Sequence, residues 1–557
     1  MNLYKGGELT LRDAKRIDEL QYPVQNKFND YIGELIDVNK LSGIDLLLAA
    51  TCRNTVSSDV YDVLCRIELL EETLAGNEAI IEISSEYCVS DLVKQVVQKY
   101  IKYGVEFKEI IKPKSKLFFV ILNIIKSLYL IINSWFWTRI FQVKKTPVRD
   151  VTYVDTFLFI DSINKEGVFS ERYYTGHEKY LSEKVVLSEW YSPTLVNIRH
   201  PNEFIKICRS LRQTKTNFLL QESWLTLGDY MFALFWSILL PFRLNKYPLY
   251  KGYDVSKIFK KLVCEDIGSP ALMKALCQYR FIRRLSKENV KIKRAINWAE
   301  NQNIDRALNI GFKKYYPNTK VYGYQGFPIL KYYACAQPTC YELSAGTLPD
   351  VLGVVCPTCI DQRKSICNEL EVKLFPAFRF AYLFNVKDTR PKDVKIILIA
   401  LPGFDIDESR RILHDYLVIS KRLNERIKVI VKQHPGYTIE QFSTLVPEFT
   451  APEFEYTDKN FSEILGSISV LITSASSVCL EAVAVGVPAL IHGNRFGVTM
   501  NSIPSNVPDD LWGVYYTHDE LLILITEFLD KKERHSIVPE LFCPVTKIRA
   551  GSLFGFN

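Results

Sequence analysis

The sequence predicts an α/β protein built on doubly wound parallel sheets, and three observations carry the prediction. In the C-terminal third, runs that are apolar at nearly every residue, such as 394–401 (VKIILIAL), alternate with amphipathic helical stretches. That is the pattern of strands buried on both faces by crossover helices. The 557 residues are 48% hydrophobic and 13% aromatic. A chain of this kind is too apolar for disorder, and at ~150 residues per domain it divides into about two to four domains. Finally, small and hydroxylated residues gather where the predicted strands end, which is where open parallel sheets bind ligands.

In chain order, 44–50, 79–84 and 152–160 read as strands. Residues 91–100 read as a helix with Ser90 as N-cap, and 293–315 as a second helix. After 394–401 come a loop at 402–405, a helix over 408–424, a strand at 427–431 and the loop His434-Pro435-Gly436. A helix from Ile439 and strands at 454–456 and 470–473 follow. A helix over 476–485 is closed by Gly486; strands at 489–492 and 514–516 and a helix from His518 complete the alternation. These elements divide the chain into domains at 1–388 and 389–557, linked near 387–392.

The net charge of +7 comes from 70 basic and 63 acidic residues. That balance argues against a dedicated nucleic-acid binder. The opening MNLYKGGELT has no apolar stretch, so no secretory signal is expected there. The 13 cysteines then point to a reducing compartment. Cys335, Cys340, Cys356 and Cys359 have spacings that zinc ribbons also use, but the first pair lacks a knuckle-type turn, and core or loop thiols are expected.

Residues 117–141 (LFFVILNIIKSLYLIINSWFWTRIF) are long enough to cross a bilayer. Lys126 lies in the middle with Asn123 and Asn133, and a charge near the bilayer centre costs ~3 kcal/mol. Lys112, Lys114 and Lys116 precede the stretch, Arg139, Lys144 and Lys145 close it, and Trp135 and Trp137 lie near its end. The pattern predicts a helix lying in the interface beside anionic lipid. A second stretch at 230–242 (YMFALFWSILLPF) is too short to span. The membrane-facing insertions are therefore placed at about 112–145 and 225–245, with two buried core helices as the alternative.

The sharpest chemical signal is Lys432-Gln433-His434-Pro435, followed by Thr473-Ser474-Ala475-Ser476-Ser477-Val478-Cys479-Leu480-Glu481-Ala482 and Gly486-Val487-Pro488. Both segments start at carboxyl ends of predicted strands. Ser474, Ser476 and Ser477 let backbone N–H groups and hydroxyls approach a phosphate at a helix N-terminus. Lys432 and His434 add positive charge or donors, and Glu481 can accept from ribose hydroxyls. Capping serines and a turn histidine are the plainer reading of each feature alone.

At these residues the chain resembles the nucleotide-binding domain of GT-B glycosyltransferases, whose late helix carries S-x(3–4)-E-A-x-A-x-G-x-P. The His434-Pro435 pair is similar to the motif of bacterial transferases that use CMP-activated acidic sugars, sialyltransferases and Kdo transferases among them. It also resembles the His-Pro of CDP-polyol phosphotransferases of teichoic acid synthesis. Asp155-Thr156-Phe157, Arg172-Tyr173-Tyr174, Trp298-Ala299-Glu300-Asn301-Gln302, Asp305-Arg306-Ala307 and Tyr324-Gln325-Gly326 look like a family of bacterial surface-carbohydrate biosynthesis proteins. The (D/E)-(D/E)-G motif of the sialyltransferases has no literal copy; Glu265-Asp266-Ile267-Gly268 comes nearest.

The resemblance implies two Rossmann-like domains facing across a cleft, the acceptor in the first and the nucleotide-sugar donor in the second. Glu300, expected within a helical run, is the first candidate for general base, and the Glu265/Asp266 pair the second. Asp155, Arg306 and Gln325 are acceptor-side candidates, and His434 joins the catalytic set through the departing phosphate. No metal or other cofactor is expected. The implied partners are a nucleotide-sugar donor, a glycan or lipid-linked acceptor and the inner-leaflet surface, with no nucleic acid. The implied place is the cytoplasmic face of the inner membrane.

Overall fold

The computed structural model describes residues 2–3, 7–55, 58–76, 82–100, 106–109, 116–147, 150–196, 198, 200–327, 329, 333–403, 405–423, 426–434, 436–474, 476–504, 506–531 and 533–555. Lys112, Lys114, Pro435, Ala475, the first part of the 79–84 strand and the last residue of the 408–424 helix lie outside them. In chain order the strands are β1 (Asn2–Leu3), β2 (Glu82–Ser85), β3 (Glu106–Glu109), β4 (Val151–Leu158), β5 (Glu189–Leu195), β6 (Leu249–Tyr250), β7 (Tyr253–Asp254), β8 (Ile292–Trp298) and β9 (Lys320–Gln325). There follow β10 (Val351–Val354), β11 (Glu371–Leu374), β12 (Lys395–Ala400), β13 (Ile427–Lys432), β14 (Glu455–Tyr456), β15 (Val470–Thr473), β16 (Ala489–His492) and β17 (Trp512–Tyr515).

Two six-stranded sheets dominate. Their orders are β11-β10-β9-β8-β4-β5 and β14-β13-β12-β15-β16-β17, and each neighbouring pair is parallel. A small parallel sheet, β1-β2-β3, and the antiparallel β6–β7 hairpin complete the set. In each large sheet the chain starts in the interior, runs to one edge, and returns to build the other side. The reversal falls between β4 and β8 in the first sheet and between β12 and β15 in the second. Connections diverge at such a switch point and leave a crevice at the strands' carboxyl ends.

The second sheet follows the sequence reading closely, because its central strands are buried on both faces. Ile397, Leu398, Ile399, Val470, Leu471 and Ile472 are all fully buried, so the apolar runs have no competing helical face. The first domain departs from the reading at three places. Residues 44–50, expected as a strand, form a 3₁₀ turn, Gly43–Leu46, and a helix, Leu47–Arg53; a short apolar run rich in Leu and Ala does not distinguish the two forms. Residues 293–315, expected as one helix, divide into β8 and a helix, Asn303–Tyr315. The break is made by Asn301 in the left-handed region (φ 56°) and a capping box between Gln302 and Asp305. The helix expected from Asp91 starts at Tyr87, so Ser90 lies inside it.

The last two helices, Val538–Leu541 and Lys547–Phe554, cross back onto the first sheet. Phe554 stacks on His177 with ring centroids 4.5 Å apart. Arg294 Nη1 donates to the carbonyls of Ser552 (2.8 Å) and Leu553 (2.7 Å). One buried apolar cluster therefore runs from Val154 and Ile296 through Phe378 and Phe542 to Leu398 and Leu471, joining the two sheets.

The four cysteines with ribbon-like spacing do not gather. Cys335 packs beside Tyr333 and Ile329, exposed Cys340 lies near Cys367, and Cys356 and Cys359 sit together after β10. Among the described residues no three His, Cys, Asp or Glu are placed to hold a metal.

The 117–141 stretch forms the helix Lys116–Ile140, and its polarity is inverted. Ser127, Asn133, Ser134 and Thr138 are buried against the protein, whereas Phe118, Ile125, Ile132, Phe136 and Ile140 are exposed. Asn123 Nδ2 donates to the Glu265 carbonyl at 2.8 Å, and Ser127 Oγ to that of Gly268 at 2.8 Å. Arg139 fastens the far end to the carbonyls of Ser223 and Leu225, both at 2.6 Å. The neighbouring helix Leu227–Leu239 presents Leu227, Met231, Phe235 and Leu239 outward at helical spacing, with Phe242 just beyond. Phe118–Ile140 is long and apolar enough to cross a membrane, and 22% of its most apolar window is buried.

Candidate functional site

The sequence-predicted nucleotide residues assemble at the β12/β15 switch point. β12 and β13 end in register, Ala400 opposite Lys432, so the loop after β12 meets the histidine after β13. Gly403 is what permits this: a Cβ there would lie 2.3 Å from His434 Cγ, inside any tolerable contact. The Gly436 backbone N–H donates to His434 Nδ1 at 3.1 Å. With Nδ1 accepting, the neutral ring carries its proton on Nε2, which is left to donate to a ligand. Burial holds the His434 pKa below its usual value, favouring that neutral form.

On the other side of β12, Ser474 follows β15 and is 1% exposed. Its Oγ is buried without a hydrogen-bond partner, as is Oε1 of Gln433. Buried polar atoms are nearly always paired, because an unmade bond costs ~1–3 kcal/mol. These two orphans lie at the carboxyl ends of β13 and β15. Ser476 and Ser477 precede the helix Val478–Ala484, which starts two residues after the expected Ser476. Lys432 is half-buried; burial lowers its pKa while Asp458 and Glu463 oppose that shift.

Glu481 is buried, and burial raises its pKa. Its Oε2 accepts from the Tyr382 hydroxyl and its Oε1 from Ser477 Oγ at 3.3 Å. Its first task is thus to tie the serine turn to the linker 3₁₀ helix Phe378–Asn385. Arg379, exposed on that same helix, is close enough to act electrostatically on Glu481 and Tyr382 of this site and on Tyr173 of the first domain. The sequence reading missed Tyr382 and Arg379, since a segment between domains has no periodic signal and only the fold brings Tyr382 to Glu481, and it missed the close approach of Gly403 to His434.

The first domain contributes its own switch point. Asp155 on β4 accepts from the Trp298 N–H of β8 at 3.3 Å. Burial, then neighbouring Asp305, holds its carboxyl well above the usual range. Asp305 is pushed up to about 8 by burial and by the Glu300 carboxylate; it accepts from the backbone N–H groups of Glu300 and Gln302, both at 3.0 Å. Glu300 therefore sits in the loop after β8, at the carboxyl edge of the sheet and outside any helix. Its Oε1 accepts from Trp298 Nε1 at 2.9 Å, and its Oε2 from Gln302 Nε2 at 2.6 Å and the Tyr333 hydroxyl at 3.2 Å. Tyr173 packs edge-on to Trp298, centroids 4.4 Å apart.

Other predicted site residues serve the fold. Arg306, expected on the acceptor side, is 1% exposed and pairs with Glu342, which Arg53 also grips. Gln325 donates to the Ala336 carbonyl (2.7 Å) and accepts from Arg363 (3.1 Å). Asp266 is buried, bonded by Ser269 (2.5 Å) and Thr51 (3.0 Å) next to the N-cap of the helix Pro270–Lys287. Glu265 is exposed at the end of the preceding helix.

No family model matches the sequence, and no curated protein matches it. Among solved structures the chain is similar to a putative UDP-N-acetylglucosamine 2-epimerase from Listeria monocytogenes (10% identity, 72% of this chain and 94% of that one, TM-score 0.39). It is similar at the same level to S. aureus MnaA with UDP (10%, 72% and 94%, 0.40). A third is the lipopolysaccharide outer core galactosyltransferase WaaB in its apo form (11%, 73% and 99%, 0.40). Likenesses of this strength set neither family nor activity. What the chain's own topology shows is two doubly wound parallel sheets, each with a switch point at its strands' carboxyl ends.

Proposed function

We propose that the protein is a glycosyltransferase that takes a nucleotide-activated sugar in its second domain and transfers the sugar to a glycan or lipid-linked acceptor in its first. The observation that carries this reading is the pair of orphaned buried atoms, Ser474 Oγ after β15 and Gln433 Oε1 after β13, at the carboxyl ends of one parallel sheet. Donor phosphates seated on Ser474, Ser476 and Ser477 would satisfy the free hydroxyl, and Lys432, His434 and Arg379 would neutralise charge as the phosphate departs. Across the cleft, Glu300 would take the proton of the attacking hydroxyl through the lone pairs of Oε1. The chemistry asked of the protein is proton removal and anion stabilisation, and no metal or cofactor enters it.

The donor is proposed to be a CMP-activated acidic ketosugar such as a nonulosonic acid or Kdo, on the His434-Pro435 resemblance. A UDP- or GDP-sugar, or a CDP-polyol in a phosphotransferase, would use the same turn. The outward apolar faces of Lys116–Ile140 and Leu227–Leu239, with exposed Lys126 between the apolar side chains, support attachment to a membrane surface. The proposed place is the cytoplasmic face of the inner membrane. Calorimetry with CMP, CDP, UDP and GDP, repeated with His434→Ala, tests the site. Selective CMP binding lost in the variant is expected; selective UDP or GDP binding would displace the acidic-sugar donor. Binding to none of the four would overturn the transferase reading.

A further inference from the structure

A cleft of about 330 Å³ opens at the carboxyl ends of β16 and β17. Three distant segments build its walls. The helix Ile406–Ser420 supplies Arg410, Arg411 and His414, the loop after β16 supplies Arg495 and Phe496, and the amino-terminal segment brings Glu8. None of the serine-turn residues lines it. Ile406–Ser420 packs on the sheet face of Ile397 and Ile399, whereas Val478–Ala484 packs on the face of Leu398 and Leu471. The cleft is thus built on the helix of the opposite face.

Its arginines have bonding capacity to spare. Arg411 makes no hydrogen bond among the described residues, and its closest ion-pair partner, Asp405, is 3.8 Å away. The Phe496 ring holds this guanidinium instead, with the centroid 4.7 Å off. Stacking uses the flat face and leaves the Nη edge to a ligand; the side chain is 33% exposed. Exposed His414 follows one turn along the same helix face. Arg410 and Arg495 are anchored at one end, to the Leu445 carbonyl (2.6 Å) and the Glu8 carboxylate (3.1 Å). The cleft also holds acceptors. Glu448 Oε2 is buried without a partner, and burial raises the Asp415 carboxyl pKa against the pull of His492 and His414. Walls of both signs suit neither a bare polyanion nor an apolar ligand.

We propose that this cleft binds a phosphorylated sugar, its phosphate on Arg411 with His414 beside it and its hydroxyls on Glu448 and Asp415. A planar guanidinium presents parallel N–H groups to phosphate oxygens. Sugar hydroxyls donate to carboxylates, which the phosphate itself cannot do once ionised. The volume matches the low end of small-molecule sites, about 300 Å³. The assignment does not draw on the transferase reading; it adds a second ligand site to the second domain.

The test uses the full chain, with glucose 6-phosphate, inorganic phosphate and CMP as probes and binding read by calorimetry. Glucose 6-phosphate is expected to bind more tightly than phosphate. Arg411→Gln breaks no hydrogen bond of the free protein and should weaken both about tenfold. His414→Gln, at an exposed position, should weaken both about threefold. Glu448→Gln should leave phosphate as tight or tighter, while the advantage of the sugar phosphate shrinks about fivefold. CMP affinity should stay within twofold in all three variants. Undiminished binding of both probes to Arg411→Gln would overturn the site, as would failure of both to bind the original chain. Glucose 6-phosphate gaining nothing over phosphate would overturn the sugar half of the assignment. Competition between CMP and glucose 6-phosphate would overturn a separate site. Binding of glucose 6-phosphate that depends on Arg411, with no nucleotide bound, would keep the cleft and sink the transferase reading.

Discussion

Ser474 and Glu300 carry opposite signatures, and their substitutions should behave oppositely. The Ser474 hydroxyl makes no bond in the free protein, so Ser474→Ala removes a desolvated donor and leaves nothing unpaired. Thermal unfolding of the variant should shift up or stay level, while nucleotide affinity falls about five- to tenfold by calorimetry. Unchanged affinity would remove the hydroxyl from the phosphate site. Glu300 already holds three donors, and Glu300→Gln changes their partner's charge while keeping its shape. Turnover should drop ~10²–10⁴-fold, the range for a lost general base, with nucleotide affinity within twofold. Retained turnover would pass the role of base to another carboxylate.

At the level of elements, the helix Lys116–Ile140 shows why composition alone left two readings open. Lys126, Asn123 and Asn133 were read as obstacles to a membrane span, yet Asn123, with Ser127 and Thr138, bonds the protein behind the helix, while Phe118, Ile125, Ile132 and Phe136 look outward. Ile125→Glu combined with Phe235→Glu places two charges on the outer face and touches no buried contact. Co-sedimentation with vesicles containing anionic lipid should be lost, and the unfolding temperature should move by less than about 3 °C. Binding that survives both charges would show that the face does not meet lipid. Residues 293–315 teach a related lesson. The strand-to-helix break that moves Glu300 to a sheet edge depends on a single left-handed residue, Asn301, and a cap.

For the molecule as a whole, buried charge decides the pH response. The pKa of Asp305 stands at about 8 when folded, against an ordinary carboxyl value of 3.8, so folding takes up a proton. Its contribution is complete below about pH 4 and is lost as the pH rises to about 8. Asp305→Asn, which keeps the acceptor oxygen, should flatten that part of the stability–pH curve measured by denaturant unfolding. An unaltered slope would show that Asp305 does not titrate there. Glu342 works with the opposite sign: burial raises its pKa, but Arg306 and Arg53 outweigh burial and lower it. Its support is present above the ordinary carboxylate pKa and is lost as the pH falls through the folded value. Glu342→Gln leaves two buried guanidinium groups facing a neutral amide and should cost ~3–5 kcal/mol.

What was legible in the residues follows from where local pattern and final environment coincide. Strands buried on both faces advertise themselves as unbroken apolar runs, so the second sheet was readable from the residues alone. His434 and Ser474 lie at the carboxyl ends of β13 and β15, at the strand ends where the sequence reading put them. The first domain was less readable because its defining facts are contacts between distant segments. Whether Arg306 faces a ligand or Glu342 depends on Arg53 and Glu342, far away in the chain. Whether Asp266 is a base or a bonded partner depends on Thr51, and the bond from Tyr382 to Glu481 depends on a segment without periodicity. Local propensity sets an element's kind, but the energy of a buried charge or an orphaned hydroxyl is set by what surrounds it, and only the tertiary structure decides the surroundings.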